Sequence, residues 1–139
     1  MEFRQSGHLH PALTDPVART ANTEKLVGRW VNANRETRGI AEIVIERDGG
    51  RFTVRVVGVG EGGDAVEWPR AEARVLANLE EEAGQRAVAL AADFDFPFMR
   101  AETHLRVNKG VLVIVLFVTF RDDSGRSNYV NREFFHRPD

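Results

Sequence analysis

Cysteine is absent from this sequence, lysine is scarce, and no apolar run is long enough to span a membrane. The absence of cysteine excludes a disulfide framework, a thiolate metal site and a cysteine nucleophile. Only Lys25 and Lys109 are lysines among the 19 basic residues, which we attribute to codon bias in a GC-rich genome. Because residues 1–23 hold no apolar stretch of signal-peptide length, we expect a cytoplasmic protein that does not enter a membrane.

Composition and charge further limit the types of protein and of binding partner that are possible. The chain has 139 residues, of which 42% are hydrophobic and 29% charged, as in an ordinary globular protein. This length fits one domain with a continuous core. The net charge is −2, with both signs dispersed along the chain, so no basic face predicts a nucleic-acid partner.

Residues 1–22 show no sustained periodicity and are predicted to form an N-terminal arm, with the domain proper at 23–139. A helical turn is expected between Thr23 and Gly28, and alternating strand patterns follow it. Glycine-rich turns at 48–50 and 108–110 are typical of tight hairpins. The predicted strands cover 30–37, 40–47, 51–59, 85–96, 99–107, 111–120 and 128–136.

Residues 70–83 are ambiguous. Small and apolar residues alternate there as in a strand, whereas alanine, leucine and glutamate favour a helix. We favour the strand. The count then becomes eight or nine strands joined by short turns, which suits an all-β, single antiparallel up-and-down barrel whose closure removes exposed edges.

The run 111–120 is apolar on both faces. A barrel strand normally shows one face to the interior and the other to solvent, so the outer face of this strand needs a cover. We favour a second copy of the chain, which predicts a homodimer formed through residues 111–120.

Three side chains are candidates for acid–base catalysis. Asp93 and Asp95 lie two positions apart on one strand, roughly 6 to 7 Å from each other, a spacing that a carboxylate pair can use. If the 88–96 apolar face forms the core, both face water; if the interior is polar, they join His104, Arg106 and Glu133 in a cavity. His104 is the one histidine within a well-patterned strand and the best single acid or base.

Aromatic residues are numerous enough to line a pocket. Trp68 stands out because its Glu-Trp-Pro setting offers an indole no obvious place in the core. The histidines and carboxylates show no metal-ligand spacing, so we expect no metal and no cofactor. The residues predicted to bind a ligand are Trp30, Trp68, Phe94, Tyr129, Arg132 and Glu133.

The segment Gly58–Gly63 matches the G-x-G-x-x-G pattern of dinucleotide sites. Pro69 falls where the following helix would run, and every other connection is hairpin-like. A flexible glycine loop at a barrel rim is therefore the preferred interpretation.

The triplet Gly28-Arg29-Trp30 resembles the G-x-W motif of lipocalins and other calycin barrels. In that family the tryptophan closes the barrel base and lies under an arginine of the last strand, a role open here to Arg132 or Arg137. The wider pattern of residues 26–136 resembles a small bacterial β-barrel domain without assigned chemistry. Its elements are Leu26-Val27-Gly28-x-Trp30-Val31-Asn32, Thr37-Arg38-Gly39-Ile40, the segment from Phe120 to Tyr129, and Glu133-Phe134-Phe135.

Two functions remain open on this basis. The barrel binds a small apolar or aromatic molecule, either as a carrier or as a cofactor-independent cyclase or isomerase. Alternatively, it is a non-enzymatic interaction module that dimerises through residues 111–120. An aromatic-lined cavity favours the first, and a filled interior favours the second.

Overall fold

The computed structural model describes residues 24–76 and 89–138. The predicted arm at 1–22 and parts of two predicted strands, at 77–83 and 85–88, lie outside these residues. A 3₁₀ turn, Glu24–Leu26, opens the described chain at the place where a helical turn is expected. Nine strands follow it: β1 Gly28–Asn32, β2 Ile40–Asp48, β3 Arg51–Val59, β4 Ala65–Glu67, β5 Ala71–Leu76, β6 Ala89–Asp95, β7 Met99–Asn108, β8 Val111–Phe120 and β9 Tyr129–His136.

The strands form one antiparallel sheet that closes on itself. The order is β2-β1-β9-β8-β7-β6-β5-β3-β4, and an additional pairing of β2 with β3 completes the ring. Eight strands thus make a closed barrel, and β4 is one extra strand beside β3. The predicted all-β antiparallel barrel is confirmed.

Strands β4 and β5 both pair with β3, one after the other along the same side of it. Val57 pairs with Glu67 and Val54 pairs with Ala71, so the register slips by one residue between them. This slip is a β-bulge at 68–70, a place where a sheet tolerates proline and re-aims a side chain. The strand prediction for this region is confirmed over Ala71–Leu76.

The first predicted strand, 30–37, is too long. The chain leaves the sheet after Asn32 because side chains capture the backbone N–H groups that a strand would use. Asn32 Oδ1 accepts from the N–H of Asn34 at 2.7 Å, and Thr37 Oγ1 accepts from the N–H of Gly39 at 3.0 Å. Residues 33–39 therefore form a loop, called here the β1–β2 loop.

The glycine motif is a hairpin turn. The N–H of Gly60 donates to the carbonyl of Asp64 at 2.8 Å, and the chain returns directly as β4. The strand β4 thus occupies the place where a dinucleotide-binding motif would have its helix.

Inward-facing side chains of the barrel strands form one apolar core. Alternate residues of β8 point into it, and their neighbours on that strand point outward. Each fully buried large side chain contributes about 1.5 to 3 kcal/mol. The largest are Trp30, Phe52, Phe94, Phe135, Leu26, Ile40, Ile43, Ile45, Leu90, Leu105, Leu112 and Ile114.

One end of the barrel, called here the tryptophan end, is closed by the 3₁₀ turn, which lies against β7. The buried indole of Trp30 donates through Nε1 to the carbonyl of Leu26 at 2.9 Å. The guanidinium of Arg137 lies 4.0 Å from the Trp30 ring centroid and donates to the carbonyls of Val27 and Lys25. Of the two arginines expected to cover Trp30, Arg137 therefore does so and Arg132 does not.

Candidate functional site

The inner face of β9 changes from apolar to polar along its length. Phe135 is buried, whereas Glu133, Asn131 and Tyr129, which share its face by alternation, are partly or largely exposed. β1 pairs with β9 at only two positions, Asn32 with Phe135 and Val31 with His136. The β1–β2 loop covers the next part of β9, because the N–H of Ala33 donates to the carbonyl of Phe134 at 2.8 Å. We call this the glutamate end.

Glu133 is held by two donors from the β1 side. Its Oε1 accepts from Asn32 Nδ2 at 2.8 Å and from Thr37 Oγ1 at 3.1 Å. Asn32 is itself buried, and its Nδ2 also donates to the carbonyl of Ile40 at 2.8 Å. The carboxylate is therefore fixed in position by groups that are already ordered.

The second oxygen of this carboxylate, Oε2, is buried and accepts no hydrogen bond from residues 24–76 or 89–138. A buried acceptor without a donor costs about 1 to 3 kcal/mol, and more when it is charged. A Cβ atom added at Gly39 would lie 3.1 Å from Oε2, so Gly39 packs closely against this oxygen and a larger residue there would crowd it. The carboxylate thus presents one satisfied and one unsatisfied oxygen.

A pocket of about 430 Å³ lies between the β1–β2 loop and β9 and includes Glu133 in its wall. This volume is in the range of small-molecule sites. Its lining is mostly polar and carries charges of both signs, from Glu36, Arg38, Arg132 and Glu133. A second pocket, of about 620 Å³, lies on the other side of the same loop and shares Arg38 with the first.

An arc of aromatic side chains borders the same end of the barrel. The bulge aims Trp68 over Gly58, and its ring meets those of Phe94 and Phe96 edge-on, with both centroids at 5.3 Å. Phe96 and Phe98 follow at 5.7 Å. Such edge-to-face contacts add about 0.5 to 1.5 kcal/mol to the burial itself.

Arg126 continues the arc to Tyr129. Its guanidinium lies 5.5 Å from the ring centroid of Phe98 and 4.3 Å from that of Phe120, and Phe120 meets Tyr129 at 6.1 Å. Asp122 anchors this arginine at 2.8 Å. Hydrogen bonding by Ser124 lowers the pKa of Asp122, and Arg126 lowers it further. The aromatic arc is therefore continuous from Trp68 to the strand that carries Glu133.

The pKa of Tyr129 responds to the charge of Glu133. Burial raises the pKa of its phenol above the ordinary value of about 10, and the negative charge of Glu133 raises it further, while Arg126 opposes both. The two side chains share the inner face of β9.

The catalytic candidates from the sequence lie elsewhere. Asp93 faces outward between Arg74 and Arg100, each at 3.2 Å, and Asp95 faces outward in an ion pair with Arg121. These are surface ion pairs of the kind that contribute little to stability. The outward orientation is the one expected if residues 88–96 supply the core.

His104 is also on the outer surface, where its ring meets the edge of Phe117 at 5.7 Å. It lies across from Ala91 on β6 and Val115 on β8. Glu133 faces inward from β9, so the structure does not bring His104, Asp93 and Asp95 together with it around a cavity.

The predicted ligand-binding residues divide into three groups. Trp30 and Phe94 are core residues with 1% exposure. Trp68 and Tyr129 belong to the aromatic arc. Arg132 and Glu133 line the pocket of about 430 Å³.

Asn32, Thr37 and Arg38 are site residues that the sequence reasoning did not select. Their signal was present, since all three stand in the segments that carry the resemblance to small bacterial barrels. Those segments lie about a hundred residues before Glu133 in the chain, and the hydrogen bonds of Asn32 and Thr37 bring them to it.

No group of three or more histidine, aspartate or glutamate side chains is placed to hold a metal ion within 24–76 and 89–138. The same residues contain no helix long and apolar enough to cross a membrane. Comparison with known proteins returns no match to a family model, to a curated protein or to a solved structure.

Proposed function

We propose that this protein binds a small molecule at the glutamate end of its barrel, with a ligand N–H or O–H donating to Oε2 of Glu133. The observation that carries the proposal is the buried, unpartnered oxygen in the wall of a pocket of about 430 Å³. In a purely structural hydrogen-bond network, the protein's own groups satisfy every polar side chain. A binding site instead holds a polar group in position for its ligand. Asn32 and Thr37 position this one.

The aromatic arc supports a ligand with an apolar or aromatic part. Trp68 and Tyr129 offer ring surfaces at the same end, and Trp68 is only partly buried. The inward side chains form a continuous buried core, so we place the ligand at this end and not in the middle of the barrel. As an enzyme, the protein would be a cofactor-independent cyclase or isomerase, with Glu133 taking and returning a proton.

The family and cellular context belong to the same proposal. A calycin-like relationship to small bacterial barrels is supported by Arg137 over the ring of Trp30. A cytoplasmic location is supported by the absence of cysteine.

Ligand binding is tested by native mass spectrometry of protein purified from its own host, followed by titration of phenols and aromatic amines. Trp68 fluorescence reports binding when Trp30 is replaced by phenylalanine. Glu133→Gln is expected to weaken binding about 10-fold to 100-fold, since a hydrogen bond to a charged group is lost. Glu102→Gln, on the outer face of β7, is the matched control.

Equal affinity of Glu133→Gln and the unaltered protein would overturn the assignment of this site. So would the absence of any retained molecule together with no response of Trp68 to the titrated compounds.

A second candidate function, a homodimeric interaction module, is favoured by the outer face of β8 and β9. Phe117, Val130 and Phe134 are 42%, 61% and 48% exposed on these two adjacent strands. Phe117 pairs with Val130, and Val113 pairs with Phe134, so the apolar side chains are contiguous. Patches of this kind are typical of protein interfaces.

The charges beside this face suit a second copy of the chain. Glu102, His104 and Arg106 form a row on the outer face of β7. A two-fold axis across the strands at His104 brings Glu102 against Arg106 of the partner subunit, and the reverse pair follows by symmetry. The same axis brings Arg132 against its own copy, an unfavourable contact.

Analytical ultracentrifugation tests the dimer. We expect a mass about twice the 15.6 kDa of the chain. Phe117→Asp should give monomers, Arg132→Gln should tighten the dimer, and Val66→Asp, at an exposed valine of β4, should change nothing. A monomer at high concentration, or a dimer that Phe117→Asp leaves intact, would contradict the interface.

A further inference from the structure

The charges that line the glutamate-end pocket specify a chemical class of ligand. Glu133 contributes a carboxylate with an unpartnered oxygen, and Glu36 contributes a second carboxylate. Arg38 contributes a guanidinium group; Arg132 also lines the pocket, but alternation along β9 places its side chain on the outer face. The lining therefore carries charges of both signs, an arrangement that favours a ligand with both signs over a simple cation or anion.

The guanidinium of Arg38 is available to a ligand. Arg38 forms no ion pair with any residue that the structure describes, and its side chain is exposed. Guanidinium groups bind carboxylates and phosphates through paired N–H donors. An anionic group on the ligand thus has partners beside the carboxylate that receives its donor.

Arg38 indicates where the anionic group of the ligand would bind. It stands in the wall shared by the pocket of Glu133 and the neighbouring pocket of about 620 Å³, which also includes Arg35. Arg35 and Arg38 thus both line the pocket that adjoins the pocket of Glu133. Glu61 and Glu36 also line that second pocket, so it too carries charges of both signs.

We infer that the ligand is a small zwitterion of the amino-acid type, with its ammonium on Oε2 of Glu133 and its carboxylate on Arg38. The ammonium supplies the donor that Glu133 lacks, and the carboxylate neutralises a guanidinium that has no internal partner among the described residues. This inference rests on the proposed function, whose ligand needs only one donor for Glu133.

The test is a titration series followed by amide shifts in ¹⁵N-labelled protein. The probes are glycine, β-alanine, 4-aminobutyrate and 5-aminopentanoate, with butylamine and butyrate as single-charge controls. We expect one member of the series to bind about 10-fold to 100-fold more tightly than either control. Its shifts should centre on residues 33–39 and 131–134.

Variants separate the two charged ends. Glu133→Gln should weaken the best amino acid and butylamine alike, whereas Arg38→Gln should weaken only the amino acid. Arg106→Gln, on the outer face of β7, should leave both affinities unchanged.

Butylamine that binds as tightly as the best amino acid would overturn the zwitterion and leave the Glu133 site in place. Binding that Arg38→Gln does not weaken would also overturn it. If no charged probe binds but a phenol from the ligand titration does, the inference fails while the proposed function stands.

Discussion

The two ends of the barrel differ in how the hydrogen-bonding groups of their buried side chains are satisfied. At the tryptophan end, the indole of Trp30 has a carbonyl acceptor at 2.9 Å and a guanidinium over its ring, so its polar and aromatic groups are satisfied. At the glutamate end, Glu133 has two donors on one oxygen and none among the described residues on the other. The first end stabilises the fold, and the second is where we propose that a ligand binds.

The largest effect that this comparison predicts is on stability at the tryptophan end. Trp30→Ala should lower the free energy of unfolding by about 3 to 5 kcal/mol, because it empties a fully buried site. Trp68→Ala should cost less, since that ring is only partly buried, but it should weaken ligand binding. Urea denaturation and ligand titration of the two variants measure both effects. A greater stability loss for Trp68→Ala would reverse the roles of the two ends.

Gly28→Ala should cause the next largest loss of stability. Gly28 has φ +125°, and an added Cβ would lie 2.3 Å from Nη1 of Arg137. The alanine must therefore displace the guanidinium from Trp30 and also strain the backbone, at a cost of about 1 to 3 kcal/mol. Gly50→Ala is the matched control, because nothing lies within 4 Å of its added Cβ.

A double variant separates the two causes in Gly28→Ala. If the clash dominates, Arg137→Ala should absorb much of the loss, and the two effects should not add. Additive losses would assign the cost to the backbone of Gly28 alone.

At the glutamate end, the expected stability changes are smaller, and they differ between Glu133 and Asn32. Glu133→Gln should stay within about 1 kcal/mol of the unaltered protein, because an uncharged amide costs less to bury unpaired than a carboxylate does. Asn32→Ala should cost about 2 to 3 kcal/mol, because it removes the donor to both Glu133 and Ile40. Thermal denaturation of both variants is the measurement. A large loss for Glu133→Gln would make this carboxylate a structural group.

The sequence predicted most of the fold because the signals are local. The turn at Asn108-Lys109-Gly110 has positive φ at both central residues, as hairpin chemistry requires, and the alternation over 99–107 matches the burial of β7. The end of β1 was missed because Asn32 and Asn34 satisfy backbone donors with their side chains, a competition that periodicity does not reveal.

The candidate site was only partly predictable. Glu133 and Arg132 were selected, but the hydrogen-bond partners of Glu133, Asn32 and Thr37, lie about a hundred residues earlier, and the barrel closure that joins them has no local signal. The choice between inward and outward faces was open for Asp93 and His104. The burial of Phe94 and Leu105 beside them decides it, since the apolar set of each strand takes the interior.

The smallest expected effect concerns Tyr129, which is the one tyrosine of the chain and so titrates alone in the ultraviolet. Burial and the charge of Glu133 raise its pKa above about 10. Glu133→Gln should lower that pKa toward the ordinary value, and Arg126→Gln should raise it. Because the folded-state pKa is raised, the contribution to stability is complete below the unfolded-state pKa and is lost as the pH rises through the folded-state value. A pKa that Glu133→Gln leaves unchanged would mean that the two groups do not interact, and the aromatic arc would then end short of the pocket.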